Sequence, residues 1–163
     1  MKRLHSVWLY YYEKIEPIFA EIVPLEHDLF ECLKIDEEFE REAKCESFKV
    51  YFGKYTELTK MLKNEMLLHQ AYIPKTVFEE STTFVVQMQD DFDYWFDMAK
   101  CLFAGEYGKI DYEKGEKTVE MLLVKLAKME VSIKIDWRSF VIFLKKKVEE
   151  VRPQCGQPSV NLR

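Results

Sequence analysis

Three groups of residues in this chain have types and spacing that could do chemistry. Glu65 and His69 lie four residues apart, so on a helix a carboxylate and an imidazole would share one face and could hold a metal ion. Lys63 precedes His69 on the same stretch, and a histidine beside a positive group can act as acid or base. Asp90, Asp93 and Asp97 repeat at helical spacing, and carboxylates on one side could collect a hard cation. A bundle metal site, however, draws carboxylates and Glu-x-x-His pairs from facing helices. The chain has only three histidines, and none supplies a second partner for Glu65 and His69, which read as a surface pair near a helix end. Oxygen cages also draw on several segments, so the three aspartates read as one solvated helix edge. No Gly-rich phosphate loop, GxSxG elbow or Cys/His nucleophile pair occurs. No catalytic, cofactor or metal site is expected, and the chain reads as non-enzymatic.

The stretch that must organise any function is FVVQMQDDFDYWFDMAKCLFA, residues 84–104. From Tyr94 to Ala104 only Asp97 and Lys100 are charged. Such a helix needs to be wrapped by others, and its apolar run is too short to span a bilayer. Gly105 follows as a C-terminal stop. The expected fold is an all-α, single-domain bundle of about six or seven helices around this central buried helix. Residues 1–151 form the bundle and 152–163 a mobile tail.

Around it, helical periodicity marks the other elements. A first helix runs from the cap Ser6 to about Val23, with a kink expected at Pro17. Pro24 opens a short second helix, Leu25–Leu33. Asp36 caps a third that continues to about Leu68, with Glu37 and Glu38 suiting its dipole. Its apolar stripe includes Phe39, Ala43, Phe48, Tyr55, Leu58, Leu62 and Met66, and Gly53 marks a bend or break. Pro74 is the next breaker. Thr76 and Glu79 have capping-box spacing. A turn-rich loop covers 105–116. Helix 116–130 presents Val119, Leu122, Leu123, Leu126 and Met129 on one face. Asp136 caps a last helix, 137–151, with Trp137, Phe140, Val141, Leu144 and Val148 inward.

The 163 residues fit one domain, and with 48% hydrophobic and 15% aromatic residues a sizeable core is available. A net charge of −5 argues against nucleic acid as the main ligand. The acid concentrates in residues 13–47, where twelve Asp or Glu face four Lys or Arg, 4 − 12 = −8. Cys32, Cys45, Cys101 and Cys155 have no CxxC pairing. They read as free thiols of a reducing compartment. No signal core or membrane-spanning segment is found, so cytoplasm or nucleus is expected. Trp8, Tyr10, Tyr11 and Tyr12 cannot all face one core. They are the candidate partner-binding residues, placed in an interface or over the domain's own surface.

Two likenesses extend this reading. Lys63-Asn64 with His69 resembles the Arg-x-x-x-x-His element of helical HEPN-type ribonucleases, with Lys for Arg and the spacing one longer. That likeness implies a small ribonuclease. The order of elements resembles the Bcl-2-like fold: an aromatic first helix, an acidic segment, a bent amphipathic helix, a central apolar helix, a loop and two amphipathic helices. MAKCLFAGEYGKI, Met98–Ile110, and FVIFLKKKV, Phe140–Val148, are similar to the poxvirus Bcl-2-like immune modulators. The Asn-Trp-Gly-Arg element of the cellular family is missing, and Asp136-Trp137-Arg138 lies too near the C-terminus to replace it. The Leu-x-x-x-Gly-Asp motif is absent too, which fits the poxvirus branch. The resemblance implies a viral, non-enzymatic binder that blocks host innate signalling, towards NF-κB or interferon, or apoptosis. It also implies a host signalling adaptor or amphipathic helix as partner, a cytoplasmic location and often a homodimer. A structural subunit of a larger assembly is the remaining reading.

Overall fold

The computed structural model describes residues 11–68, 70–72 and 75–160; the side chains of residues 11, 12, 72, 76, 133, 135–137, 140 and 151–160 lie outside the description. The expected cap Ser6 and breaker Pro74 also lie outside the described residues. Among these, every element is helical. A π-helical turn, Tyr11–Ile15, leads into α1, Glu16–Leu33. A 3-10 turn, Glu38–Glu40, leads into α2, Arg41–Leu68. Another, Gln70–Tyr72, precedes α3, Lys75–Ala104. A third, Tyr107–Lys109, precedes α4, Tyr112–Val160.

The described residues thus form four long helices, and several expected breaks are absent. Pro17 sits in the first turn of α1, where its fixed φ suits a helix start. Pro24 lies inside the same helix. An interior proline costs about 3 kcal/mol, but Ile22, Leu25 and Leu29 on either side are buried, and their packing carries the helix through. Gly53 interrupts nothing in α2. Stretches 116–130 and 137–151 are one continuous helix, with Asp136 in its interior rather than at a cap. Phe39, expected on an apolar stripe, is 79% exposed, because α2 starts only at Arg41. Leu123 and Val148 are about half exposed as well.

The four helices form a ring. α1 packs on α2 and α4, α3 packs on the same two, and α1 and α3 touch only slightly across the diagonal. Short connections make neighbours antiparallel. Among the described residues, 84–104 are therefore one wall of the ring rather than a helix wrapped on every side. Phe84, Met88, Trp95 and Leu102 face the core, while Val86 and Phe96 are about half exposed. The core side of α3 reads 84, 88, 91, 95, 98, 102, all buried. This 4-3 spacing is the seam of a helical bundle.

One end of the bundle is tied by polar contacts. Gly105 takes φ +72, and its N–H donates to Leu102 O at 3.2 Å while Glu106 N–H donates to Cys101 O at 2.9 Å. This pair of bonds is a Schellman stop, as the sequence expects of Gly105. Arg41 donates to Phe103 O at 3.1 Å, so the start of α2 caps the end of α3. Tyr112 donates to Leu33 O at 2.9 Å, so the start of α4 caps the end of α1. Asp111 is the N-cap of α4, its Oδ1 accepting from Lys114 N–H at 3.0 Å.

Gly115 marks the closest approach of α4 to its neighbours. A Cβ there would meet Tyr94 Oη at 2.5 Å and Phe30 Cε2 at 2.7 Å. Tyr94 is held by its bond to Asp111 O at 2.7 Å, so it cannot step aside cheaply. Gly53 has open space around its Cα. Replacing a helical glycine by alanine gains up to about 1 kcal/mol of propensity, and overpacking costs about 1–3 kcal/mol. Gly53→Ala is therefore expected to raise the urea midpoint, and Gly115→Ala to lower it despite the same propensity gain.

Candidate functional site

The most unusual chemistry lies inside the bundle. Glu26 on α1 is 0% exposed, and Asp91 on α3 is 3% exposed. Glu26 Oε1 accepts from Trp95 Nε1 at 3.0 Å and from the Tyr55 hydroxyl at 3.3 Å. Tyr55 Oη also lies 3.1 Å from Met88 O. Asp91 Oδ1 accepts from Gln87 Nε2 at 2.8 Å. The other two oxygens, Glu26 Oε2 and Asp91 Oδ2, have no hydrogen-bond partner. Each carboxyl nevertheless acts directly on the other.

Burial pushes Glu26 well above the usual carboxyl range, and the charge of Asp91 adds to the shift. Burial also raises Asp91, while its contacts with Glu26 and Gln87 oppose that rise. Two buried carboxylates cannot both stay ionised at close range, so the pair holds a proton. A protonated Glu26 gains a donor for Asp91 and keeps Oε1 free to accept from Trp95 and Tyr55. That assignment leaves Oε1 to accept from Trp95, while the single Tyr55 proton is shared between Oε1 and Met88 O. Lys125 of α4 partly balances the remaining charge on Asp91.

The residues of this cluster carry a signal in the sequence pattern. Glu26 sits between Ile22 and Leu29 on the buried side of α1, and Asp91 occupies a core position between Met88 and Trp95. A carboxylate in a core position of the periodic pattern was the signal. Reading Asp90, Asp93 and Asp97 as a solvated edge passed over Asp91 between them. Those three are indeed exposed.

Two surface features complete the picture. Between α2 and α3 opens a cavity of about 330 Å³ lined by Thr56, Thr59, Lys60, Lys63, Gln89, Phe92 and Asp93. Phe92 stacks on Phe52 at 5.2 Å and on Phe96 at 6.3 Å. Along α4, Met121, Val124, Val131 and Ile142 are 48%, 51%, 58% and 55% exposed. They fall on one outward line with Lys117, Lys128 and Arg138, and the cavity of about 470 Å³ beside them is lined by Lys117, Glu120, Met121, Val124, Lys125 and Lys128.

Of the sequence-expected residues, Lys63 lines the cavity and Glu65 is half-buried on α2. His69 lies outside the described residues, as do Trp8 and Tyr10 and the side chains of Tyr11 and Tyr12. Cys32, Cys45 and Cys101 are free thiols, and burial pushes Cys32 up to about 11, which makes it an inert core residue. No group of three or more metal-ligating side chains occurs among the described residues. No described helix is long and apolar enough to cross a membrane. No protein-family model, curated protein or solved structure matches the chain.

The buried pair sets a pH dependence. Glu26 has a folded pKa above its ordinary 4.5, so the folded chain keeps a proton that the unfolded chain releases. Stability is full below that ordinary value and falls as pH rises towards the folded value, by up to about 1.4 kcal/mol per pH unit. Glu26→Gln keeps the shape, donates to Asp91 and carries no charge. Urea unfolding followed by tryptophan fluorescence should show Glu26→Gln gaining on the native chain as pH rises from 5 to 8. A difference that stays constant with pH would refute the shared proton.

Proposed function

We propose that this chain is a non-enzymatic protein-interaction module that binds an acidic amphipathic helix along α4. The outward line of α4 carries the reading. Lys117, Met121, Val124, Lys128 and Val131 follow each other at intervals of 4, 3, 4 and 3, which is the spacing of a two-helix seam. Apolar residues repeated on an exposed helix face mark a docking surface. The seam is one or two residues wide, which suits a partner helix better than a broad lipid surface.

Charge selects the partner. Lys128 holds no ion pair among the described residues, Lys125 is partly engaged by Asp91, and Lys117 pairs with Glu113 at 3.0 Å. Three lysines stand against Glu120 on this surface, and Lys128 among them is unpaired, so a second α4 would bring further lysines to the same line. A helix with acids flanking its apolar stripe would meet opposite ones. The resemblance of Met98–Ile110 and Phe140–Val148 to poxvirus Bcl-2-like modulators points to host signalling adaptors as the partner class. The ring of four described helices departs from that family's central-helix plan, so the α4 surface is the main support.

A synthetic helix with Leu at the seam positions and Glu beside them should bind the full chain, more weakly at higher salt. The same apolar pattern flanked by Lys should not. Val124→Glu with Val131→Glu should weaken binding at least about tenfold, or ~1.4 kcal/mol, without changing helical content. Equal binding of both peptides, or binding only to anionic vesicles, would overturn the proposal.

A further inference from the structure

The cavity between α2 and α3 has a chemistry of its own, independent of the α4 surface. One wall is apolar and aromatic: Phe92, stacked on Phe52 behind it. Lys60 and Lys63 come from one side, three residues apart on α2, and Gln89 and Asp93 from the other, four apart on α3. Lys60, Lys63 and Asp93 line the same cavity, yet none forms an ion pair among the described residues. Lys49 and Lys100 nearby are by contrast already paired, with Glu46 and Asp97. The hydroxyls of Thr56 and Thr59 donate to Phe52 O and Tyr55 O, so towards a ligand they can only accept.

We propose that this cavity binds a small zwitterion with an apolar or aromatic side chain, of the amino-acid class. A ligand carboxylate meets the two ammonium groups of Lys60 and Lys63. A ligand ammonium meets Asp93, the Gln89 carbonyl and the threonine oxygens. The side chain lies against Phe92. A simple anion would leave Asp93 beside a like charge, and a simple cation would leave both lysines unanswered. A volume of about 330 Å³ lies at the low end for small-molecule sites, which suits an amino acid better than a dinucleotide.

The test uses L-phenylalanine titrated into the full ¹⁵N-labelled chain, read by amide chemical shifts. Saturable shifts are expected around Thr56, Lys60, Lys63, Gln89 and Asp93. Phenethylamine, which lacks the carboxylate, and 3-phenylpropionate, which lacks the ammonium, should each bind at least about tenfold more weakly, since each loses a charged contact. Lys60→Gln with Lys63→Gln should weaken phenylalanine about tenfold and should not weaken phenethylamine, which loses only like-charge repulsion. Asp93→Asn should weaken phenylalanine but not phenylpropionate. Lys60 and Asp93 are exposed and Lys63 is half-buried, so the fold should be unchanged, which circular dichroism checks. Absence of saturable shifts, shifts confined elsewhere, or phenylpropionate binding as tightly as phenylalanine would each overturn the proposal.

Discussion

A carboxylic acid buried in a helical core must find donors or be pushed towards its protonated form, and in this bundle Glu26 meets two donors while burial and Asp91 raise its pKa. Its Oε1 accepts from Trp95 on α3 and Tyr55 on α2, and its carboxyl acts directly on that of Asp91 on α3. One side chain of α1 thereby fixes the rotation of two other helices. Lys125 of α4 acts on the same pair through Asp91, so all four helices answer to one polar cluster. Hydrophobic packing alone is nearly indifferent to small helix rotations. A buried polar network is not, because each misplaced donor or acceptor costs about 1–3 kcal/mol.

The rest of the interior follows from that registration. With Trp95 and Tyr55 pointing at Glu26, the seam of α3 falls at Phe84, Met88, Trp95 and Leu102. Phe84 then meets Phe19 edge-on at 4.6 Å. At the capped end, Gly115 lets α4 close against Phe30 and Tyr94, and the Tyr94 hydroxyl reaches the carbonyl of Asp111, the cap of α4. The ring geometry also decides which apolar groups remain outside. Among the described residues α3 has neighbours on two sides, so Phe96 stays half exposed, and Lys100 covers its ring at 4.7 Å. The line of Met121, Val124 and Val131 on α4 points away from the three neighbouring helices, which is why these side chains stay about half exposed among the described residues.

The cavity between α2 and α3 has the same origin. The two helices hold together through the ladder Phe48, Phe52 and Phe92, and large rings keep their backbones apart. Towards the far end of α2 the residues shorten to Thr56 and Thr59, and the space is left open to solvent between Lys60 and Asp93.

The amino-acid sequence by itself determined the helical class, the Schellman stop at Gly105 and the solvated edge of Asp90, Asp93 and Asp97. Each of these depends on local pattern: periodicity, an αL residue and charge at helical spacing. It also placed most of the core of α2 and α4, from Tyr55 and Leu62 to Leu122 and Met129. Tertiary structure decided the number and length of the described helices, because packing around Pro24 overrode a local stop signal. It decided that residues 84–104 form a wall of a ring, since composition says how much of a helix is apolar but not how many neighbours cover it. Above all it decided the state of Glu26 and Asp91. Whether a carboxylate in a core position is ionised or holds a proton depends on what another helix brings to it, and no spacing along one helix contains that information.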